Sequence, residues 1–143
     1  MRRLAATLAL LAVQPFLTSC TGLVAGPEVK ASTPVPASRD SAYVRTRRAL
    51  QAESFTLDVV DSSGGHLTGT RYPGADAKLG TSAKCRVAVA LEVGGDEQHA
   101  DVASASRWIA PDAMIDQAPE VCEEERTQVL DRMAQVLVPP AVE

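Results

Sequence analysis

Aromatic side chains are scarce in this chain: one Trp, two Tyr and two Phe among 143 residues, or 3%. A single modest core with so few rings depends on aliphatic packing or on a covalent staple. Histidine is almost as rare, with only His66 and His99. Neither belongs to a His-Glu-x-x-His helix, and no nucleophile elbow or phosphate-binding glycine loop occurs. Paired glycines stand at Gly64-Gly65 and Gly94-Gly95, but each pair leads into a strand pattern rather than a helix, which is turn chemistry. No hydrophobic run reaches the ~20 residues that a membrane-spanning helix needs. Positive charge is not in excess either, with 14 Lys and Arg against 18 Asp and Glu. That balance argues against general nucleic-acid binding, which rests on a basic footprint. No cofactor or metal motif is present: there is no Cys-x-x-Cys pair and no clustered histidine.

What is present begins at the N-terminus. Met1-Arg2-Arg3 is followed by the apolar stretch Leu4–Val13, then Gln14-Pro15-Phe16. The basic start and short apolar run have the form of a secretory signal. Leu17-Thr18-Ser19-Cys20 then resembles the lipobox of bacterial lipoproteins: a leucine, two small residues and a cysteine. The resemblance implies cleavage before Cys20, acylation of its thiol and of the new amine, and three acyl chains on the mature N-terminus. Two lipid signals already anchor a protein stably, because each buried methylene contributes about 0.8 kcal/mol. In the sorting rule of Gram-negative lipoproteins an aspartate after the cysteine favours the inner membrane. Here the residue is Thr21, so the resemblance implies the outer membrane, with the domain facing the periplasm. Loss of Arg2 and Arg3 leaves 12 basic residues against 18 acidic, a net charge of −6.

The cysteine count fits an exported chain. Lipidation uses Cys20 and leaves Cys85 and Cys122 as a pair in a compartment where disulfides persist. Cys85 opens the cleanest strand pattern of the sequence, sharing a face with Val87, Val89, Leu91 and Val93. Cys122 falls on an apolar helical stripe with Val129, Met133 and Val136, flanked by Leu130 and Leu137. If that helix packs on that sheet, the two sulfurs point into one layer; the competing state is two free buried thiols.

The chain divides into 1–19, the signal; 20–38, the lipidated cysteine and a tether; 39–138, an α+β domain; and 139–143, a short tail. The tether expectation rests on Gly22, Gly26, Pro27, Pro34 and Pro36 and on the lack of an apolar period. Such a segment would span ~50–60 Å at most when fully extended. Asp40 or Ser41 is positioned to cap a helix running to about Ala52. Two hairpins follow: residues 55–60 with 66–72 across Asp61-Ser62-Ser63-Gly64-Gly65, and 85–93 with 98–109 across Gly94-Gly95-Asp96-Glu97. The last strand is expected to turn Ala100, Val102 and Trp108 inward. Pro119 opens the final helix, with Glu120, Glu123, Glu124 and Glu125 crowding a start where negative charge is favoured and the acidic run faces solvent. Pro139-Pro140 ends it. The expected fold is a four-stranded antiparallel sheet flanked by N- and C-terminal helices, in the order α-β-β-β-β-α.

The stretch Tyr43–Tyr72 has a helix, then Ala49-Leu50, a short link and Phe55-Thr56-Leu57, then Asp61, Gly64 or Gly65, Leu67 and Gly69. It resembles small Gram-negative envelope lipoproteins of the helix-grip kind, such as a lipoprotein subunit of the outer-membrane β-barrel assembly machinery. That resemblance implies a non-enzymatic structural or adaptor role, binding another envelope protein through a sheet edge or helix face. The alternatives are a small-ligand or wall-polymer binding module, and an enzyme inhibitor. Arg45, Arg47 and Arg48 on the first helix face either solvent or an anionic surface of lipid head groups or wall polymer. Replacing the acylated residue separates anchor from domain. Cys20→Ala is expected to move the protein from the membrane to the soluble fraction while its circular dichroism stays unchanged; a variant still bound to membrane refutes the anchor.

Overall fold

The computed structural model describes residues 22–75, 83–111 and 116–139. Cys20, the signal-like stretch before it and residues 140–143 lie outside the described residues. In chain order the elements are β1 (Leu23–Ala25), β2 (Val29–Val35), α1 (Arg39–Ala52), β3 (Thr56–Asp61), β4 (His66–Arg71), β5 (Arg86–Gly95), β6 (Ala100–Pro111) and α2 (Ala118–Leu137). No helix among the described residues is long and apolar enough to cross a membrane.

All pairings are antiparallel, and the sheet runs β1-β6-β5-β4-β3, with β2 also on β6. The α+β class and both hairpins agree with the sequence pattern, but the sheet has six strands where four were expected, and the order is ββαββββα. The two added strands come from the segment read as a tether. Val29–Val35 pairs residue for residue with Ser106–Ala100, and Leu23–Ala25 with Pro111–Ile109. The features that read as flexibility have other reasons. Gly26 lies against Trp108, where a Cβ would collide with the indole, and its N–H donates to the Trp108 carbonyl at 2.9 Å. Pro34 sits on an edge strand, the one place in a sheet where a missing donor is tolerated.

β5 shows why one face is buried. Val87, Val89, Leu91 and Val93 are at most 5% exposed, and Leu67 from β4 joins them on the same face. Both helices cover that face: Ala42, Tyr43, Ala49 and Leu50 come from α1, and Val129, Met133 and Leu137 from α2. Two details differ from the sequence reading. The α1 cap is Ser38, whose hydroxyl accepts from the Ser41 N–H at 3.1 Å, which places Asp40 in the first turn. On α2 the buried stripe is Cys122, Arg126, Val129, Met133 and Leu137, while Val136 is 49% exposed. Successive steps of four, three, four and four residues keep that stripe on one line of the helix.

Cys85 and Cys122 are disulfide-bonded, with a Cα–Cα distance of 5.6 Å. Both are fully buried, in a small cluster with Trp108, Ala110 and Ala118. The bond ties the start of β5 to the first turns of α2. Closing a loop with a sequence separation of 37 contributes about 4 kcal/mol in the chain-entropy model. The Cys85→Ser/Cys122→Ser variant is therefore expected to lose about 2–4 kcal/mol in urea unfolding. An unchanged midpoint would show that the bond adds nothing to the fold.

Candidate functional site

Strand alternation places unusual residues on the inner face of β6. Val102 and Trp108 point toward the helices as expected, and so do Ser104 and Ser106 between them, opposite Leu91 and Val89. Polar side chains on the buried face of an internal strand carry information that an exposed serine does not. Above them stands Arg126 of α2, whose side chain is only 8% exposed. Its Nη1 donates to Ser106 Oγ at 3.1 Å. Its Nη2 donates to Glu123 Oε1 and to Thr127 Oγ1, the latter at 3.2 Å. Its Nε is buried and has no acceptor among the described residues.

These residues form a groove of about 330 Å³ between β2, β6 and α2. Val29, Ala31 and Thr33 form its β2 wall, Ser104 and Ser106 its floor, and Arg126 and Leu130 its helix wall, with Asp131 at the rim. The result is an amphipathic slot with one guanidinium in its helix wall. The Arg126 guanidinium holds the Glu123 carboxyl below its ordinary value of 4.5; partial burial opposes this, and Trp108 adds a further donor.

A second inward arginine has a structural task. Arg71 ends β4 and is 3% exposed. Its Nε donates to the Glu53 carbonyl at 3.0 Å and its Nη1 to Glu125 Oε1 at 3.1 Å. Glu125 also accepts from the backbone N–H groups of Lys84 and Cys85, at 3.0 and 3.4 Å. Arg132 clasps Glu53 with two bonds of 2.9 and 2.8 Å. The acidic run at the start of α2 is thus not a solvated face throughout. Glu124 is exposed, whereas Glu123 and Glu125 turn to the two buried arginines, because a charge in this layer needs a partner.

The other sequence candidates lie apart from the groove. Arg47 and Arg48 are exposed on α1 and Arg45 is half-buried, with no carboxylate among the described residues in ion-pairing reach. His66 begins β4 on the outer sheet face, and His99 lies in the turn ahead of β6, so both stand at the same end of the sheet. No group of His, Cys, Asp and Glu among the described residues could hold a metal. The outer face has a shallow depression of about 360 Å³ over Ala90, Ala103 and Ala105, edged by Lys30, His66 and Glu92. Sequence reasoning passed over Arg126, Ser104 and Ser106. The available signal was Arg126 falling at helical spacing between Cys122 and Val129 on an otherwise apolar stripe.

No protein-family model and no curated protein matches the sequence. Among solved structures, that of Ara h 8.0201 superposes with a TM-score of 0.51 at 8% identity, covering 83% of this chain and 100% of that one. A norcoclaurine synthase point mutant from Thalictrum flavum, in complex with a transition state analogue, gives 0.49 at 10% identity, covering 81% and 96%. At such identities the likeness concerns the fold alone, an antiparallel sheet closing on a long C-terminal helix in the helix-grip manner.

The depressed Glu123 value links stability to pH. Its ionised form is favoured by folding, so its contribution is complete above pH 4.5 and disappears as pH falls through the lower folded value. Asp61 and Asp96 are also lowered, chiefly by backbone N–H groups of Gly64 and of Gln98 and His99, and act in the same direction. Thermal midpoints are expected to be level near neutrality and to fall in acid, with Glu123→Gln showing a lower neutral midpoint and a shallower acid decline. A variant whose curve overlays the parent at every pH would contradict the pairing.

Proposed function

We propose that this is a lipid-anchored envelope protein whose domain binds, rather than transforms, a small amphiphilic ligand with an anionic or acceptor head. The anchor reading rests on Leu17-Thr18-Ser19-Cys20 and the signal-like segment before it. With Thr21 next in sequence, the outer membrane, with the domain facing the periplasm, is the favoured location. The binding reading rests on one observation: a nine-tenths-buried guanidinium in the wall of a groove, with an Nε that no acceptor among the described residues satisfies. A buried donor without a partner costs about 1–3 kcal/mol, which a ligand acceptor would recover where its entry shifts the guanidinium enough to uncover the enclosed Nε. Val29, Ala31, Leu130 and Ala134 would hold the apolar part, while Ser104 offers a second hydrogen bond.

The adaptor reading through strand addition receives less support from the sheet edges. β3 exposes Val59 and Val60 at 47% each, yet it breaks register between Leu57 and Val59 and carries Asp58 and Asp61. The β2 edge carries Lys30 and Pro34. Bulges, charges and proline are the devices that discourage edge pairing.

Decanoate is a suitable probe, with a carboxylate for Arg126 and an alkyl chain for the slot. Full-length protein in a detergent with an uncharged head group is expected to show a saturable rise in thermal midpoint with decanoate and none with decanol. Arg126→Met abolishes the rise. Ser104→Val, which leaves the Arg126–Glu123 pair intact, weakens it. Equal responses to decanoate in the parent and both variants would place binding elsewhere and overturn the groove.

A further inference from the structure

The strand pairing of residues 23–35 changes where an acylated Cys20 would hold the domain. Between Cys20 and the first sheet residue, Leu23, lie only Thr21 and Gly22. Three Cα steps reach about 10 Å at full stretch. β1 is not a loose end that would lengthen this link. Leu23, Val24 and Ala25 pair with Pro111, Ala110 and Ile109, and Val24 packs against the cluster of Cys85, Trp108 and Cys122. The head-group layer on each side of a bilayer is itself several ångströms thick, so the link barely clears it.

We propose that the domain stands directly on the lipid surface that holds its anchor, with the Leu23–Pro111 end of the sheet down and the strands running away from the membrane. This inference rests on the lipid-anchor reading. The surface at that end suits a head-group layer. Leu23 is 48% exposed and Tyr72 45%, and the Arg86 guanidinium lies 5.2 Å from the Tyr72 ring centre. Tyrosine with a cationic neighbour favours the depth where apolar chains meet polar heads. Among the described residues at this end, Asp116 and Glu120, which lead into and open α2, balance Lys84 and Arg86. The hold is therefore covalent and apolar, and insensitive to lipid charge. The opposite end shows the turns with Asp61, Asp96 and Glu97, which remain in water. β6 rises about 3.3 Å per residue, which lifts Ser106 and Ser104 roughly 15–25 Å above the lipid. The groove then opens sideways into the aqueous space rather than into the bilayer.

Two similarly exposed apolar positions provide the test: Leu23 at the lower end and Val136 near the far end of α2. Leu23→Trp and Val136→Trp are made in the acylated full chain, reconstituted into vesicles with and without brominated phosphatidylcholine, and read against the Trp108 signal of the parent. The expected result is about a two-fold loss of the added emission for Leu23→Trp, the depth at which Trp settles, and none for Val136→Trp. Repeating the measurement with phosphatidylglycerol in the vesicles leaves both unchanged. Protein that floats with vesicles while neither position is quenched keeps the anchor and overturns the docking. Quenching of both positions, or of Val136→Trp alone, overturns the orientation. Protein that does not float at all removes the anchor and the docking with it.

Discussion

The inner face of the sheet changes character along β6, and α2 has to follow that change residue by residue. At one end stand Cys85 and Trp108, then Ser106 and Ser104, then Val102 with Val93 beside it. The buried stripe of α2 meets them in the same order: Cys122, Arg126, then Val129, Met133 and Leu137. A slide of the helix by one turn would set Arg126 over valines in one direction, or leave Ser106 under the methyl groups of Val129 in the other. Burying an unpaired charge is far costlier than losing a few contacts. The disulfide fixes the start of the helix and the Arg126–Ser106 hydrogen bond fixes its rotation, so the apolar remainder has one register to adopt.

Charge inside the layer carries that specificity, with little net stability. A buried ion pair roughly offsets the cost of taking its members out of water. Arg71 with Glu125 and Arg126 with Glu123 are best understood as locating devices. The first joins β4, the end of α1, the start of β5 and α2, and Arg126 joins α2 to β6 through Ser106, at points where aliphatic contacts alone would permit sliding. Around Arg71 the hydrogen bonds are shared among several acceptors. Around Arg126 one donor, the Nε, has no acceptor among the described residues.

The segment ahead of α1 couples the fold to its setting. As a tether it would let the domain roam tens of ångströms from its anchor. As β1 and β2 it covers both halves of β6, supplies one wall of the groove and brings the sheet within a few residues of Cys20. The same segment thus walls the groove through β2 and begins, through β1, three residues after Cys20.

Much of this was legible in the chain itself. Alternation in Cys85–Val93, turn chemistry at Asp61–Gly65 and Gly94–Glu97, and helical spacing in 118–137 are local signals, because side-chain direction repeats every two residues in a strand and every 3.6 in a helix. The cysteine pair was legible for the same reason, each member lying on a periodic apolar face. β2 was not, since Val29-Lys30-Ala31-Ser32-Thr33-Pro34-Val35 has no strong period and its stability comes from pairing with residues about 70 positions later. Nor was the groove: alternation puts Ser104 and Ser106 on the face of Val102 and Trp108 but does not say what stands across from them, and Arg126 looks like a helix-surface cation until Glu123 and Ser106 close around it. Sequence by itself determined the class, the hairpins, the sulfur pair and the lipobox-like Cys20. Only the tertiary structure decided which polar groups are enclosed, because enclosure depends on what packs across from a residue and not on its neighbours in the chain.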